Sequence, residues 1–253
     1  MARAAVLGRL TWEVGTVADI REETGTARTI VVDVPGWSGH TAGQHVDVRL
    51  TAEDGYSTQR SYSIASAPAP GRLELTVQRL EDGEVSPYLT DVLKPGFPLE
   101  MRGPIGGWFA WDPAAAGPVL LVAGGSGVVP LMSMIRARAE EAGSRAPFRL
   151  VYSVRSPGTA LYTAEVAQRS QAGDGLEVSY VYTRSAPPGA RVRAGRINPV
   201  VLATPGWTAE AAPAVFICGP TGFVEAAASL LVNAGHDPDV IKTERFGPSG
   251  GQA

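Results

Sequence analysis

Apolar and polar positions along the 253 residues follow two different rhythms. Up to about Trp111 the period is two. "HVDVRL" (45–50) and "LELTVQRL" (73–80) alternate, and "ARTIVVDV" (27–34) is rich in β-branched residues. Side chains two apart share one face of a strand. Turn-forming stretches such as "EDGY" and "PAPG" separate these runs, so the first half reads as an antiparallel barrel or sandwich of short strands. One helix is expected inside it, at "SPYLTDVL" (86–93), with Ser86 as N-cap and Pro87 as the first helical residue.

From Pro118 the rhythm changes. "PVLLVAGG" is a buried strand ending in glycines, and "PLMSMIRARAEEAG" has helical spacing that stops at Gly143. "FRLVYSV", "LEVSYVYT" and "AVFICG" are further strands. "LYTAEVAQRSQAG" and "TGFVEAAASLLVNAG" are further helices, the latter closed by Gly235. Alternation of strand and helix predicts right-handed crossovers and a mainly parallel sheet. The join is the Pro/Ala/Gly stretch "WDPAAAGP" (111–118), which divides the chain into expected domains at 1–113 and 114–253.

Composition narrows the function. Apolar residues make up 44% and charged residues 19%, ordinary for a globular protein. A net charge of −3 gives no basic excess, so no nucleic-acid partner is expected. No apolar run reaches the length of a membrane span, and the N-terminal one is too short for a signal peptide. A cytoplasmic protein without a membrane partner is the expectation. The single cysteine, Cys218, excludes a disulfide within the chain and a cysteine-ligated iron–sulfur cluster, which needs about four thiolates. His40, His45 and His236 lack metal-ligand spacing, so no metal is expected.

Three stretches carry candidate chemistry. In "QRSYSIASAP" (59–68), Arg60 and Tyr62 should share a strand face, with Ser61 and Ser63 opposite. A guanidinium beside a ring is either a core cation–aromatic pair or a surface offering one charge and one stacking partner. In "AGGSGVVPLMSM" (123–134), glycines join the first parallel strand to the first helix. There, backbone N–H groups can hold a phosphate, or the glycines simply make a tight turn. Pro130 stands where the dinucleotide fingerprint has its last glycine. The next two strands end in "YSVRSP" and "VYTRSAP", supplying Arg155, Thr183 and Arg184, with Arg191 and Arg193 beyond and no acidic residue at either end. Arginine there suits a 2′-phosphate, hence NADPH over NADH.

In order and spacing the blocks "RSYS", "GEVSPYL", "GPIGGWF", "GGSGVVP", "ICGP" and "KTERFG" resemble the ferredoxin–NADP(+) reductase superfamily over nearly the whole chain. The resemblance implies a six-stranded antiparallel flavin-binding barrel followed by a parallel five-stranded nucleotide-binding domain. It implies that Arg60 meets the flavin phosphate, Tyr62 stacks on the isoalloxazine and Ser63 lies near flavin N5. Ser61 and the segment Gly83, Glu84, Val85 and Ser86 would complete the flavin contacts. Gly125, Ser126, Gly127 and Val128 would hold the nicotinamide nucleotide's pyrophosphate. Cys218, with Gly219 and Pro220, would lie near the reactive nicotinamide carbon, and Glu244 and Phe246 would reach the flavin from the C-terminal side. In plant-type relatives an aromatic residue ends the chain, whereas here "GPSGGQA" follows Phe246.

The implied reaction moves a hydride from NADPH to flavin N5, with single electrons then passing to a separate carrier such as ferredoxin, flavodoxin or an oxidoreductase subunit. The "GEVS" turn favours FAD over FMN. The alternatives are an NADH-dependent reductase component of an oxygenase, and a non-catalytic flavin or nucleotide sensor or electron-transfer subunit. A monomer is expected, because each half has enough apolar sequence for its own core.

Overall fold

The computed structural model describes residues 10–115, 117–141, 146–173, 175–190 and 193–247. The expected helix stop at Gly143, Arg191 and the tail beyond Gly247 lie outside the described residues. The first half forms six antiparallel strands: β1 (Glu13–Thr24), β2 (Ala27–Asp33), β3 (His45–Thr51), β4 (Ser57–Ser63), β5 (Arg72–Gln78) and β6 (Pro98–Ile105). Their order is β4-β3-β6-β1-β2-β5. The two edges meet through an antiparallel bridge between Ile64 and Leu75, and the Ala65 N–H donates to the Glu74 carbonyl at 2.7 Å, so the sheet curls into a barrel. Inward positions Ile30, Val32, Val46, Val48, Leu73, Leu75, Leu99 and Met101 fill it, as the alternation requires.

A helical turn over Tyr88–Val92 plugs one side with Leu89 and Leu93, and Val85 just before it joins the same core. The Ser86 cap expectation is corrected here. No side chain caps this turn, and the Ser86 hydroxyl instead accepts from the Leu80 N–H at 3.0 Å. It ties the incoming loop to the end of β5.

The second half is a parallel sheet of order β11-β10-β7-β8-β9, built from β7 (Val119–Gly124), β8 (Phe148–Val154), β9 (Leu176–Tyr182), β10 (Ala214–Pro220) and β11 (Ile241–Phe246). Helices α1 (Val128–Glu140) and α2 (Thr163–Gln171) cover one face, and α3 (Pro199–Leu202) and α4 (Thr221–Asn233) cover the other. Both faces are therefore buried, which is why β7 reads as an unbroken apolar run. Leu121 and Ala123 point to α1, whereas Leu120 and Val122 point to α4. Gly235 closes α4 as expected. At φ +93° it lets its own N–H bond the Val232 carbonyl (2.9 Å) and the His236 N–H bond the Leu231 carbonyl (3.1 Å).

The first strand of this half, β7, lies mid-sheet, with the chain continuing to β8 on one side and returning as β10 on the other. The crevice between the carboxyl ends of β7 and β10 is therefore the switch point where open α/β sheets bind ligands. The α1 layer also packs against the barrel, since Ala42, Ala65 and Phe109 share its apolar core. No helix among the described residues is long and apolar enough to cross a membrane.

Candidate active site between the two lobes

Strand β4 lies at the sheet edge and pairs with β3 in unbroken register from Ser57 to Ser63. Its alternation separates two sets of side chains. The Ser61 hydroxyl donates to Asp47 at 2.7 Å, and Arg102 holds the other Asp47 oxygen at 2.6 Å. Ser61 thus serves a structural ion pair on the face opposite Arg60, and only its backbone remains for a cofactor. Arg60 is well exposed, donating to Thr58 Oγ1 at 3.2 Å and lying 3.7 Å from Glu84. Tyr62 is half-buried against the barrel core, and burial, partly offset by the Arg60 charge, pushes its hydroxyl up to about 12. It stays neutral, a flat apolar face with a polar tip. Ser63 is half-buried at the strand's end, opposite His45.

The loop before the helical turn is tight. A Cβ on Gly83 would lie 3.0 Å from Ser86 Oγ and 3.1 Å from the Leu80 carbonyl. Val85 faces the core, and Glu84 is exposed beside Arg60. One exposed guanidinium, one half-buried ring and a turn without side-chain bulk form a donor set that fits a phosphorylated flavin.

On the nucleotide side, the glycines do three different jobs. Gly125 has φ +56°, and nothing lies within 4 Å of the point a Cβ would occupy, so its backbone is open to a ligand. Gly127 is buried, and a Cβ there would collide with the Cys218 carbonyl. Gly124 and Gly219 both lie under the Phe223 ring, with Cβ contacts of 2.6 and 2.8 Å. The two readings of the loop, ligand approach and tight turn, thus divide among its glycines. Gly124 and Gly127 are there for strand–strand and strand–helix contact. Ser126 is half-buried, and the Val128 side chain is fully buried in the core.

Arg155 and Arg184 are exposed at the ends of β8 and β9, locked together by the Arg184 N–H donating to the Arg155 carbonyl at 2.9 Å. Thr183 is likewise exposed, its N–H bonded to the Val154 carbonyl at 2.8 Å. Arg193 is exposed as well.

The last two strands complete the site. Cys218 pairs with Glu244, and Pro220 with Phe246. Lys242, Glu244 and Phe246 share one face of β11. Lys242 Nζ donates to the Ala110 carbonyl at 3.1 Å, so that face looks toward the barrel. Phe216, two residues before Cys218, meets Phe109 edge-on at 5.4 Å, which turns Cys218 the same way. Burial, and then the neighbouring Glu244, push the Cys218 thiol well up, so it is a neutral, buried group and not a nucleophile. Burial alone pushes Glu244 up to about 7. Phe246 is partly exposed at the strand end. Lys242 was not singled out from the sequence, although its two-residue spacing from Glu244 is a signal that could have found it.

A polar seam joins the lobes. Arg136 of α1 grips Glu165 through two bonds (3.0 and 2.6 Å) and reaches the barrel's Glu74 (3.0 Å) and Ala65 carbonyl (2.9 Å). Ser133 donates to the Ser66 carbonyl at 2.7 Å. Tyr162, held at φ +56°, donates its hydroxyl to Thr76 and its N–H to Glu23. Thr76 bonds Thr29, and Thr29 donates to Glu23, closing a ring of hydrogen bonds. A groove of about 550 Å³ opens on this seam. Its cations Arg21, Arg136 and Arg169 are each paired with a glutamate, so it is charge-compensated.

Known proteins show the same two parts. The family described as "Oxidoreductase FAD-binding domain" matches residues 19–109, and "Oxidoreductase NAD-binding domain" matches residues 121–229. "Ferredoxin--NADP reductase B" of Sorangium cellulosum is 35% identical over 182 residues, covering 70% of this chain and 73% of that protein. The glycine betaine monooxygenase reductase subunit of Pseudomonas aeruginosa is 32% identical over 237 residues, 90% of this chain. The chain spans 62% of that relative's length. Among solved structures, an Amycolatopsis cytochrome P450 reductase superposes with a TM-score of 0.82 at 25% identity, over 98% of this chain and 74% of that one.

Proposed function

We infer the activity from one premise: the chain belongs to the ferredoxin–NADP(+) reductase superfamily. It is an NAD(P)H-dependent flavoprotein reductase that prefers NADPH, carries FAD and passes electrons to a separate protein carrier. Residues 1–113 form the flavin lobe and 114–253 the nucleotide lobe. Bound FAD supplies a hydride acceptor and a means of releasing electrons singly.

The chain's own residues bind and orient. Arg60 takes the flavin phosphate and the Tyr62 ring lies against the isoalloxazine, with the Ser63 hydroxyl near N5. Gly83 to Ser86 line the phosphate by backbone. Gly125 and Ser126 present backbone N–H groups to the nucleotide's pyrophosphate, while Gly127 lets that loop close onto β10. Cys218, Gly219 and Pro220 shape the nicotinamide pocket, which Glu244 and Phe246 wall off from water.

One observation carries this reading. The loop leaving the Arg60–Tyr62 strand is held by α1, through Ser133 on Ser66 and Arg136 on Ala65, and α1 begins at the glycine loop. The proposed flavin strand and the proposed pyrophosphate loop are thereby built into one seam, and hydride transfer would ask the rings they hold to lie about 3–3.5 Å apart.

NADPH is favoured by Arg155, Thr183 and Arg184 at adjacent strand ends without an acidic neighbour. The carrier is a ferredoxin, a flavodoxin or an oxygenase component, the last in keeping with the Pseudomonas relative's name. The chain acts as a cytoplasmic monomer. Steady-state comparison of the two nucleotides tests the assignment. In Arg184→Ala, kcat/KM for NADPH falls about 10- to 100-fold, the worth of a hydrogen bond to a charged group, while NADH is little changed. Equal losses for both nucleotides would refute the 2′-phosphate site.

A further inference from the structure

We propose that Lys242 is a positioning residue that pins the far flank of the nucleotide lobe to the flavin lobe, and so sets how closely the nicotinamide meets the flavin. This role rests on the reading of the cleft as a hydride-transfer site.

The seam at Arg136 holds one flank only. It is built from α1 and α2, which connect β7 to β8 and β8 to β9. β11 is the opposite edge of the sheet and is hydrogen-bonded to β10 alone. One face of β11 lies on α4: Ile241 joins that helix's apolar core, and Arg245 donates to Glu225 at 2.8 Å. The other face carries Lys242, Glu244 and Phe246 toward the barrel. Without an anchor there, the lobe could rotate about the Arg136 seam and carry Glu244 and Phe246 away from the barrel.

Lys242 supplies the anchor. Its Nζ donates to the Ala110 carbonyl at 3.1 Å. The N–H of the same peptide group, on Trp111, donates to the Ala42 carbonyl of the barrel at 3.0 Å. One peptide plane thus joins β11 to the loop before β3, and each bond polarises the other. The neighbouring side chains Phe109 and Trp111 are both buried, so that plane cannot follow β11 if it shifts.

The ammonium is also held from both lobes. It lies 5.1 Å from the Phe216 ring centroid and 5.9 Å from that of Trp108. Phe216 belongs to β10, and Trp108 to the segment leaving β6. Ring faces attract a cation, so one ring from each lobe closes on the same charge. Glu244 and Phe246 follow about 7 and 13 Å further along the strand. A slip at Lys242 therefore moves both, and a misplacement of about 1 Å can cost roughly 10²-fold in rate.

Anaerobic stopped-flow reduction of the FAD-loaded full chain, over a range of NADPH concentrations, tests this. Lys242→Met keeps the apolar stem and loses the ammonium. Its limiting rate of flavin bleaching falls about 10- to 100-fold, with the half-saturating NADPH concentration and FAD affinity unchanged. Lys242→Arg keeps a charged donor between the rings and restores the rate. Trp108→Ala removes one exposed ring, leaves the bond to Ala110 and lowers the same rate about 2- to 5-fold. A Met variant as fast as wild type, a lower Tm at an unchanged limiting rate, or a rise in half-saturating NADPH alone overturns the pin and leaves the hydride-transfer reading standing. If the Met variant does not fold, Trp108→Ala decides, and an unchanged rate there overturns the pin. If NADPH does not bleach wild type, the parent reading falls, and the pin with it.

Discussion

At the scale of single residues, burial decides more than residue type. Removal from water alone raises Glu244 from 4.5 to about 7. The sign follows from linkage: a group whose pKa rises on folding stabilises the fold below its unfolded value and loses that contribution as pH rises through its folded value. Between pH 4.5 and about 7 the wild-type Tm should therefore fall, relative to Glu244→Gln, by roughly 10 °C, and the two should run parallel above. Thermal melts across that window check it; matching curves would mean that the carboxyl titrates normally. Only family resemblance brought Glu244 to the same site as Cys218, and nothing in "KTERFG" signals the burial. Ser61 makes the converse point. Period-two alternation alone put it opposite Arg60, and it is found there, bonded to Asp47.

At the scale of elements, the change of hydrophobic period made most strands and all the long helices legible. Neither β1 nor β6 stood out as a distinct run, for physical reasons. Only Gly15 and Val17 are buried along the twelve residues of β1, so its alternation is faint. β6 opens on a proline and holds a Gly-Pro pair, both turn signals. The glycine loop was legible as a site, yet not in its division of labour. Whether a glycine makes room for ligand or for protein depends on β10, which follows the loop in the chain only after β8 and β9. Gly127→Ala would drive a methyl into the Cys218 carbonyl and should destabilise by about 3 kcal/mol. Gly158→Ala, with no atom within 4 Å and no left-handed backbone, should be neutral in the same denaturation series. Equal effects would remove the packing explanation.

At the scale of the whole molecule, the two lobes meet through an apolar layer, where Ala42, Ala65 and Phe109 join the core of α1, and through a polar seam beside it. Arg136 donates to Glu74 and the Ala65 carbonyl across the seam, while Tyr162 and the Glu23–Thr29–Thr76 set satisfy one another's hydrogen bonds. Buried polar groups of this kind give orientation, since a small rotation would leave several unpaired at a cost of about 1–3 kcal/mol each. No motif announced the seam, because each partner is commonplace in its own stretch and acquires a role only when the lobes dock. The central claim is that this orientation brings a flavin and a nicotinamide ring into reacting contact. Anaerobic stopped-flow mixing of the FAD-loaded protein with NADPH measures it most directly. The account predicts a yellow protein whose visible flavin band bleaches at roughly 1 s⁻¹ or faster. A protein that stays colourless after FAD supplementation, or one that stays yellow in excess NADPH, would contradict it.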